Sequence, residues 1–405
     1  MKSHLFTFFL TLCTSQGQKH TLRSYSITKD DSETIAELEN IVNFKKMKQM
    51  HCPSTAENIG FLVLKHKQHH TKYHTKHQKH HVLDHWEWKC IQEVRENVEK
   101  ESFEYLEKNM FPFDQPIKVS LGFPKTNSDS LVILNASTET DLAQRQLQQT
   151  EVLETSATTS LPDGLGFGIV QKSIELALNT KVDYYWTSSL PKTLFFEYVL
   201  PYANVDEARN NWRPVVKKAL DPILQSLLDE KTKYSVQEVV EKINENLWSA
   251  FTYVHHEKPI HFVAGQTPLI YDPLSVILNG YASCTGLSIL FVDALRTAGI
   301  AARISGTPAW NNKVENGNHS WVEFYSVEKQ DWVFLEAKTK GIPYNPCSYW
   351  FCNKKHLDGE TRVYSARFDR EEAADASFPM QWDAGNLMVV GEDRSSIMTE
   401  ICGKC

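Results

Sequence analysis

Nowhere in the 405 residues is there an apolar run approaching the roughly 20 residues that a membrane-crossing helix requires. No loop of the form D-x-D-x-D-G is present, so nothing suggests dependence on calcium. Positive charge is not in excess either: the net charge is -7, which gives no general reason to expect nucleic acid or an anionic membrane as partner. Cys402-x-x-Cys405 has no second cysteine pair and no β-α-β pattern around it, so it reads as structural and not as a zinc or redox motif. What is present is the composition of an ordinary globular protein, 41% hydrophobic and 23% charged, with length for about two or three domains.

The chain begins M-K-S-H-L-F-T-F-F-L-T-L-C-T-S-Q-G-Q. One lysine, an apolar run from Leu5 to Cys13 and small residues at Ser15 and Gly17 are the layout of a secretory signal peptide over 1–17. The mature protein is therefore expected to be secreted or lumenal. Without Cys13 the remaining cysteines are Cys52, Cys90, Cys284, Cys347, Cys352, Cys402 and Cys405. If Cys284 stays a thiol, the others suffice for disulfides whose pairing the sequence leaves open. The sequon Asn135-Ala-Ser137 is consistent with export.

Residues 18–160 are polar and weakly patterned. Ile91 to Leu106 carries apolar residues at helical spacing, and 125–160, rich in Ser, Thr, Gln and Asn, reads as a linker or loose loop. Within this region, 66–85 holds half of the chain's 16 histidines. On a helix, His66, His70, His74, His77, His81 and His85 would share a face able to ligate zinc or copper. No acidic residue lies between His66 and His81 and no cysteine pair flanks them, so the segment reads as solvated low-complexity sequence and no metal or cofactor is expected.

From 161 the character changes. A helical extension covers 161–234, with a helix from Ile169 to Leu178, an apolar run from Leu194 to Tyr202, and a helix over Asp206 to Asp229 interrupted near Pro214 and Pro222. Ser235-Val-Gln-Glu238 is a capping-box match opening a helix, and Asp272-Pro273 opens a shorter one that ends at Gly280. In N-G-Y-A-S-C-T-G-L-S-I-L-F-V-D-A-L-R-T-A-G-I-A-A-R, Leu287, Leu290, Phe291, Ala294, Leu295 and Ala298 recur at helical spacing. Gly299 supplies the stop, so Cys284 falls in the first turn. Three short strands follow, I-A-A-R-I-S-G-T-P, H-S-W-V-E-F-Y-S-V and D-W-V-F-L-E-A, with a loop over Asn311 to Asn318; a helix followed by an antiparallel sheet is an α+β fold.

The first turn of a helix carries unpaired N–H groups and the positive end of the dipole, both of which stabilise a thiolate. The same N–H groups can hold the oxyanion formed when sulfur attacks a carbonyl. His319, before a strand on the sheet side of this helix, is the candidate base. Glu336, in the next strand, sits where a hairpin partner could reach the imidazole.

The helix-start cysteine, the G-I-A-A-R strand, the H-S-W-V-E strand and D-W-V-F-L-E-A together resemble the transglutaminase-like superfamily of papain-type cysteine enzymes, most closely over 235–345. F-E-Y-V-L-P-Y-A-N-V-D-E-A-R-N-N-W-R upstream resembles an extension of secreted-type relatives, and Y-W-F-C in the 346–405 extension resembles their continuation. The resemblance implies Cys284 as nucleophile, His319 as general base and then acid, and Glu336 as the orienting carboxylate. Aspartate is commoner at that third position, and Glu323 is the fallback. The Cys284 N–H is the expected first oxyanion donor, with Gln266 and Trp248 as candidates for the second. The expected substrate is a protein or peptide amide, attacked to give a thioester. Because no calcium loops or large β-domains are evident, hydrolysis is favoured over cross-linking. The rivals are a binding or scaffold protein that has lost turnover, and metal sequestration by the histidine segment.

Overall fold

The computed structural model describes residues 11–13, 19–21, 82–123, 168–187, 189–229, 233–252, 254, 258–337, 345–370 and 376–405. The histidine segment as far as residue 81, Cys52 and the Asn135 sequon lie outside the described residues, as does most of the leader. The chain forms two compact units, 1–96 and 97–405. In the first, strands β1 (Thr11–Cys13) and β2 (Lys19–Thr21) pair antiparallel. Helix α1 (Val82–Lys108) begins there and runs on into the second, where it buries Val98, Ser102 and Leu106.

The second unit opens with helices α2 (Ile169–Asp183), α3 (Lys192–Tyr198), α4 (Trp212–Asp229) and α5 (Val236–Asn246). Helix α5 starts where the capping box placed it: Ser235 Oγ accepts the Glu238 N–H, and the Glu238 carboxylate accepts the Ser235 N–H. Helix α4 differs from expectation. It begins only at Trp212, because the Glu207 carboxylate accepts the N–H groups of Asn204 and Val205, and buried Arg209 donates to the Val205 and Glu207 carbonyls and to Asp114. These side chains take the backbone groups that a helical turn would have paired. Pro214 then lies in the first turn, where its missing N–H costs nothing, and the helix runs on through Pro222.

A two-residue strand β3 (His261–Phe262) runs parallel to β4 (Tyr281–Ala282). Between them is α6 (Pro273–Asn279), capped by the Asp272 carboxylate on the Ser275 N–H and ended by Gly280 in the left-handed region. Helix α7 (Cys284–Thr297) follows directly and is the core of the unit. It lies against α2, α4, α5 and α6 and against the sheet, and every residue from Thr285 to Thr297 is buried. Even Asp293 and Arg296 are enclosed, the first accepting from Asn204 (2.9 Å), the second donating to the Ala203 and Ala302 carbonyls.

The sheet has six strands in the order β7-β6-β5-β8-β10-β9, antiparallel throughout. Strands β5 (Ala302–Thr307), β6 (His319–Ser326) and β7 (Asp331–Leu335) are the three expected from alternation. The other three, β8 (Tyr364–Ala366), β9 (Ala376–Ser377) and β10 (Val390–Asp393), come from the C-terminal extension. Helix α8 (Ser395–Cys402) closes the chain. Two disulfides, Cys347–Cys405 and Cys352–Cys402, join the 346–352 segment to α8 and the residues just after it.

Candidate active site

Ser283 stands at the N-cap of α7 but does not cap it; its hydroxyl instead bonds the Thr267 hydroxyl at 2.5 Å. The first-turn N–H groups are thus left without the usual side-chain acceptor, at the end of the helix where negative charge is favoured. Cys284, the first residue of α7, is free and partly exposed. Beside it Gly286 leaves no room for a side chain: a Cβ would lie 2.7 Å from that of Ala282 and 3.0 Å from the Ile270 carbonyl. The close approach of residues 270–271 and β4 therefore depends on that glycine. Thr285 and Ser288 bond Ser320 at 3.2 and 3.3 Å, which fastens the start of α7 to the start of β6.

His319 is the first residue of β6 and is buried. Its Nε2 lies 2.8 Å from Glu336 Oε1, which leaves Nδ1 to face the Cys284 sulfur, and His319 does most to hold that thiol down. The β6–β7 register explains the reach. Val322 pairs with Leu335, so Glu336 falls opposite Trp321 and diagonal to His319 on the same face. Side chains at that diagonal are separated by about 7–8 Å at their roots, a gap the longer glutamate bridges.

Electrostatics follow from this contact. Burial by itself would push the Cys284 thiol up, but the hydrogen bond and charge of His319, the Ser320 N–H and Thr285 outweigh it and hold the thiol below its ordinary value. Burial would also lower His319; its bonds to Cys284 and Glu336 outweigh that and raise it from 6.5 to about 9. Both shifts favour the charged forms of the pair, a thiolate and an imidazolium.

Glu323, the fallback, is elsewhere. It is buried against Arg303 (2.8 Å), Ser365 (2.9 Å) and Arg394 (3.5 Å), an ion cluster on β5, β6 and the C-terminal strands. Of the upstream oxyanion candidates, Trp248 is not brought to the sulfur: its N–H donates to Asn244 (3.3 Å) and its indole rests on Phe291, seven residues further along α7. Gln266 precedes Thr267 and so lies on the N-terminal side of α7, with its amide on the Ala264 carbonyl (3.1 Å).

The sequence reading did not single out the aromatic wall behind the imidazole. Phe351 stacks on Trp321 with ring centres 4.8 Å apart and meets the His319 ring at 5.2 Å. Trp350 lies 4.8 Å from that ring and 5.3 Å from His356. The run Y-W-F-C was visible, but its proximity to His319, some thirty positions earlier in the chain, was not.

A thiol at a helix start beside an imidazole that meets a carboxylate on an antiparallel sheet is the set of groups that nucleophilic catalysis by cysteine uses. Residues 226–337 of this α+β core match the transglutaminase-like superfamily. No curated protein matches the chain. A solved structure of a proposed cysteine protease from Cytophaga hutchinsonii is similar at 16% identity and a TM-score of 0.17. The match covers 30% of this chain and under half, 43%, of that one, and at such a score nothing is argued from it.

Proposed function

We propose that the protein is a cysteine hydrolase that cleaves amide bonds in peptides or proteins through a thioester acyl-enzyme. The His319–Glu336 hydrogen bond beside a free cysteine at a helix start, whose thiol His319 holds down, is the observation that carries this reading. The Cys284 thiolate attacks the amide carbonyl, and the resulting oxyanion is held by the Cys284 N–H, with Gln266 a side-chain candidate for a second donor. The imidazolium gives its proton to the departing amine, the C–N bond breaks and the thioester remains. Water then attacks the thioester as His319 takes its proton; the carbon–sulfur bond breaks and the carboxylic acid leaves. Glu336 keeps Nε2–H engaged and Nδ1 on the sulfur throughout. The leader-like 1–17 segment and the disulfides support an exported protein.

Iodoacetamide labelling of Cys284 tests the pair. The native thiol should react at pH 7 about tenfold faster in the wild type than in His319→Ala, because without the imidazolium burial raises the thiol and little thiolate remains. The sign of the pH profile is set by the two shifts: reactivity should appear below the ordinary thiol range as Cys284 ionises, with a second inflection near 9 as His319 loses its proton. Incubation with proteome-derived peptides in ¹⁸O-water containing a primary amine then identifies the acceptor. New ¹⁸O-labelled carboxyl groups establish hydrolysis, and amine adducts establish cross-linking chemistry. Labelling no faster than that of the denatured chain, together with neither product, establishes the scaffold reading instead.

A further inference from the structure

We propose that Trp350 is a positioning residue, its indole N–H holding the Glu336 carboxylate on His319, and that the two disulfides on either side of it keep the indole in place. The inference rests on the catalytic reading of Cys284 and His319 above. Glu336 Oε1 meets two N–H groups, Nε2 of His319 at 2.8 Å and Nε1 of Trp350 at 2.6 Å. An indole nitrogen can only donate, so this bond can serve only an acceptor such as the carboxylate. Glutamate has one more rotatable bond than aspartate, and the Glu336 side chain is 23% exposed, so water competes for its oxygens. A fixed second donor on the same oxygen removes that freedom, which answers how a glutamate can occupy a place more often held by aspartate.

The surroundings of Trp350 favour this use. It is 51% exposed, an unusual position for the largest aromatic side chain, yet its polar edge is turned inward to Glu336. The residues either side are anchored: Tyr349 and Phe351 are buried and pack on Phe334, and Phe351 stacks on Trp321. Cys347, three residues before, is bonded to Cys405, and Cys352, two residues after, to Cys402. The strap that presents the indole is therefore fastened at both ends to the C-terminal helix and the residues that follow it.

Titration of Cys284 reads out the arrangement, because the thiolate–imidazolium pair ionises as a unit and its two inflections belong to both groups. Other ionisable groups facing it are His356, held down by burial, Lys355 and His319, and Tyr349, pushed up by burial, Glu336 and Glu241. Trp350→Phe keeps the ring and deletes the donor. Rates of Cys284 alkylation by iodoacetamide from pH 5 to 10 should show its two inflections drawn together by about half a unit or more relative to wild type. The neutral-pH rate should fall about threefold. Glu336→Gln should shift the profile in the same direction, and the double variant should move no further than Glu336→Gln alone, since Trp350 acts through that carboxylate. Cys347→Ser with Cys405→Ser should reproduce the shift in the wild-type background and add nothing to Trp350→Phe, a measurement that stands even where Trp350→Phe fails to fold.

A Trp350→Phe profile superimposed on the wild type overturns the proposal, as does a shift fully additive with Glu336→Gln or a serine-pair shift that persists undiminished without the indole. If the wild type itself titrates as an ordinary thiol and His319→Ala changes nothing, the catalytic reading fails and this one with it. A split wild-type profile with an inert Trp350 defeats this one alone.

Discussion

Glu323 lies on β6 and Glu336 just past the adjacent β7, and both were candidates to orient His319. Strand alternation puts Glu323 on the imidazole's face but four residues away along β6, where Arg303 and Arg394 claim it; Glu336, one residue past β7, is the diagonal neighbour. Burial would raise the Glu323 carboxyl, but the charges of Arg303 and Arg394 outweigh it and hold it below its ordinary value. Its contribution to stability is accordingly complete above the unfolded-state carboxyl range and lost as the pH falls through the lower folded value. Glu323→Gln should destabilise the protein by about 1.5–3 kcal/mol, because buried Arg303 would lose one of its two carboxylates and keep only Glu392 at 2.6 Å. Urea unfolding at neutral pH measures this, and a change below about 1 kcal/mol would contradict the structural role. That a glutamate near the strand after His319 was the candidate partner could be read from the sequence. Which glutamate was decided by register, a property of two strands together.

Helix α7 was the most legible element, because its start, stripe and stop are all local: Gly299 ends it with φ near 74°, and the apolar positions repeat within the helix itself. What periodicity could not convey is that the helix is surrounded on all sides, so that Asp293 and Arg296 as well as the apolar stripe are buried. Gly286 belongs to this scale. Alanine is the better helix former by about 1 kcal/mol, yet Gly286→Ala should destabilise by about 1–3 kcal/mol, since the added methyl meets the Ala282 side chain and the 270–271 backbone. The same displacement of the first turn should slow Cys284 alkylation. Thermal unfolding decides the matter, with a raised midpoint counting against the packing argument. Strands β8 to β10 went unread because they are two to four residues long, too short for alternation to register. The late start of α4 was hidden because Glu207 and Arg209 replace helical hydrogen bonds with side-chain ones.

Across the whole molecule, the C-terminal extension completes the sheet and carries the aromatic wall behind His319, held by two disulfides spanning 58 and 50 residues. Loops of that length place each bond at about 4 kcal/mol on chain-entropy grounds. Replacing the buried pair Cys352 and Cys402 by alanine should lower stability by roughly 2–5 kcal/mol in urea unfolding. A loss under about 0.5 kcal/mol would mean that the extension is held by packing alone. The sequence by itself determined the starts of α5, α6 and α7, the strands β5 to β7 and the order Cys284, His319, Glu336, because these depend on residues a few positions apart. Only the tertiary structure decided that Glu336 and not Glu323 meets His319, that Trp350 donates to that same oxygen, and how the C-terminal cysteines pair. Those are contacts between chain segments brought together by packing, and no local pattern records which distant segment will be the neighbour.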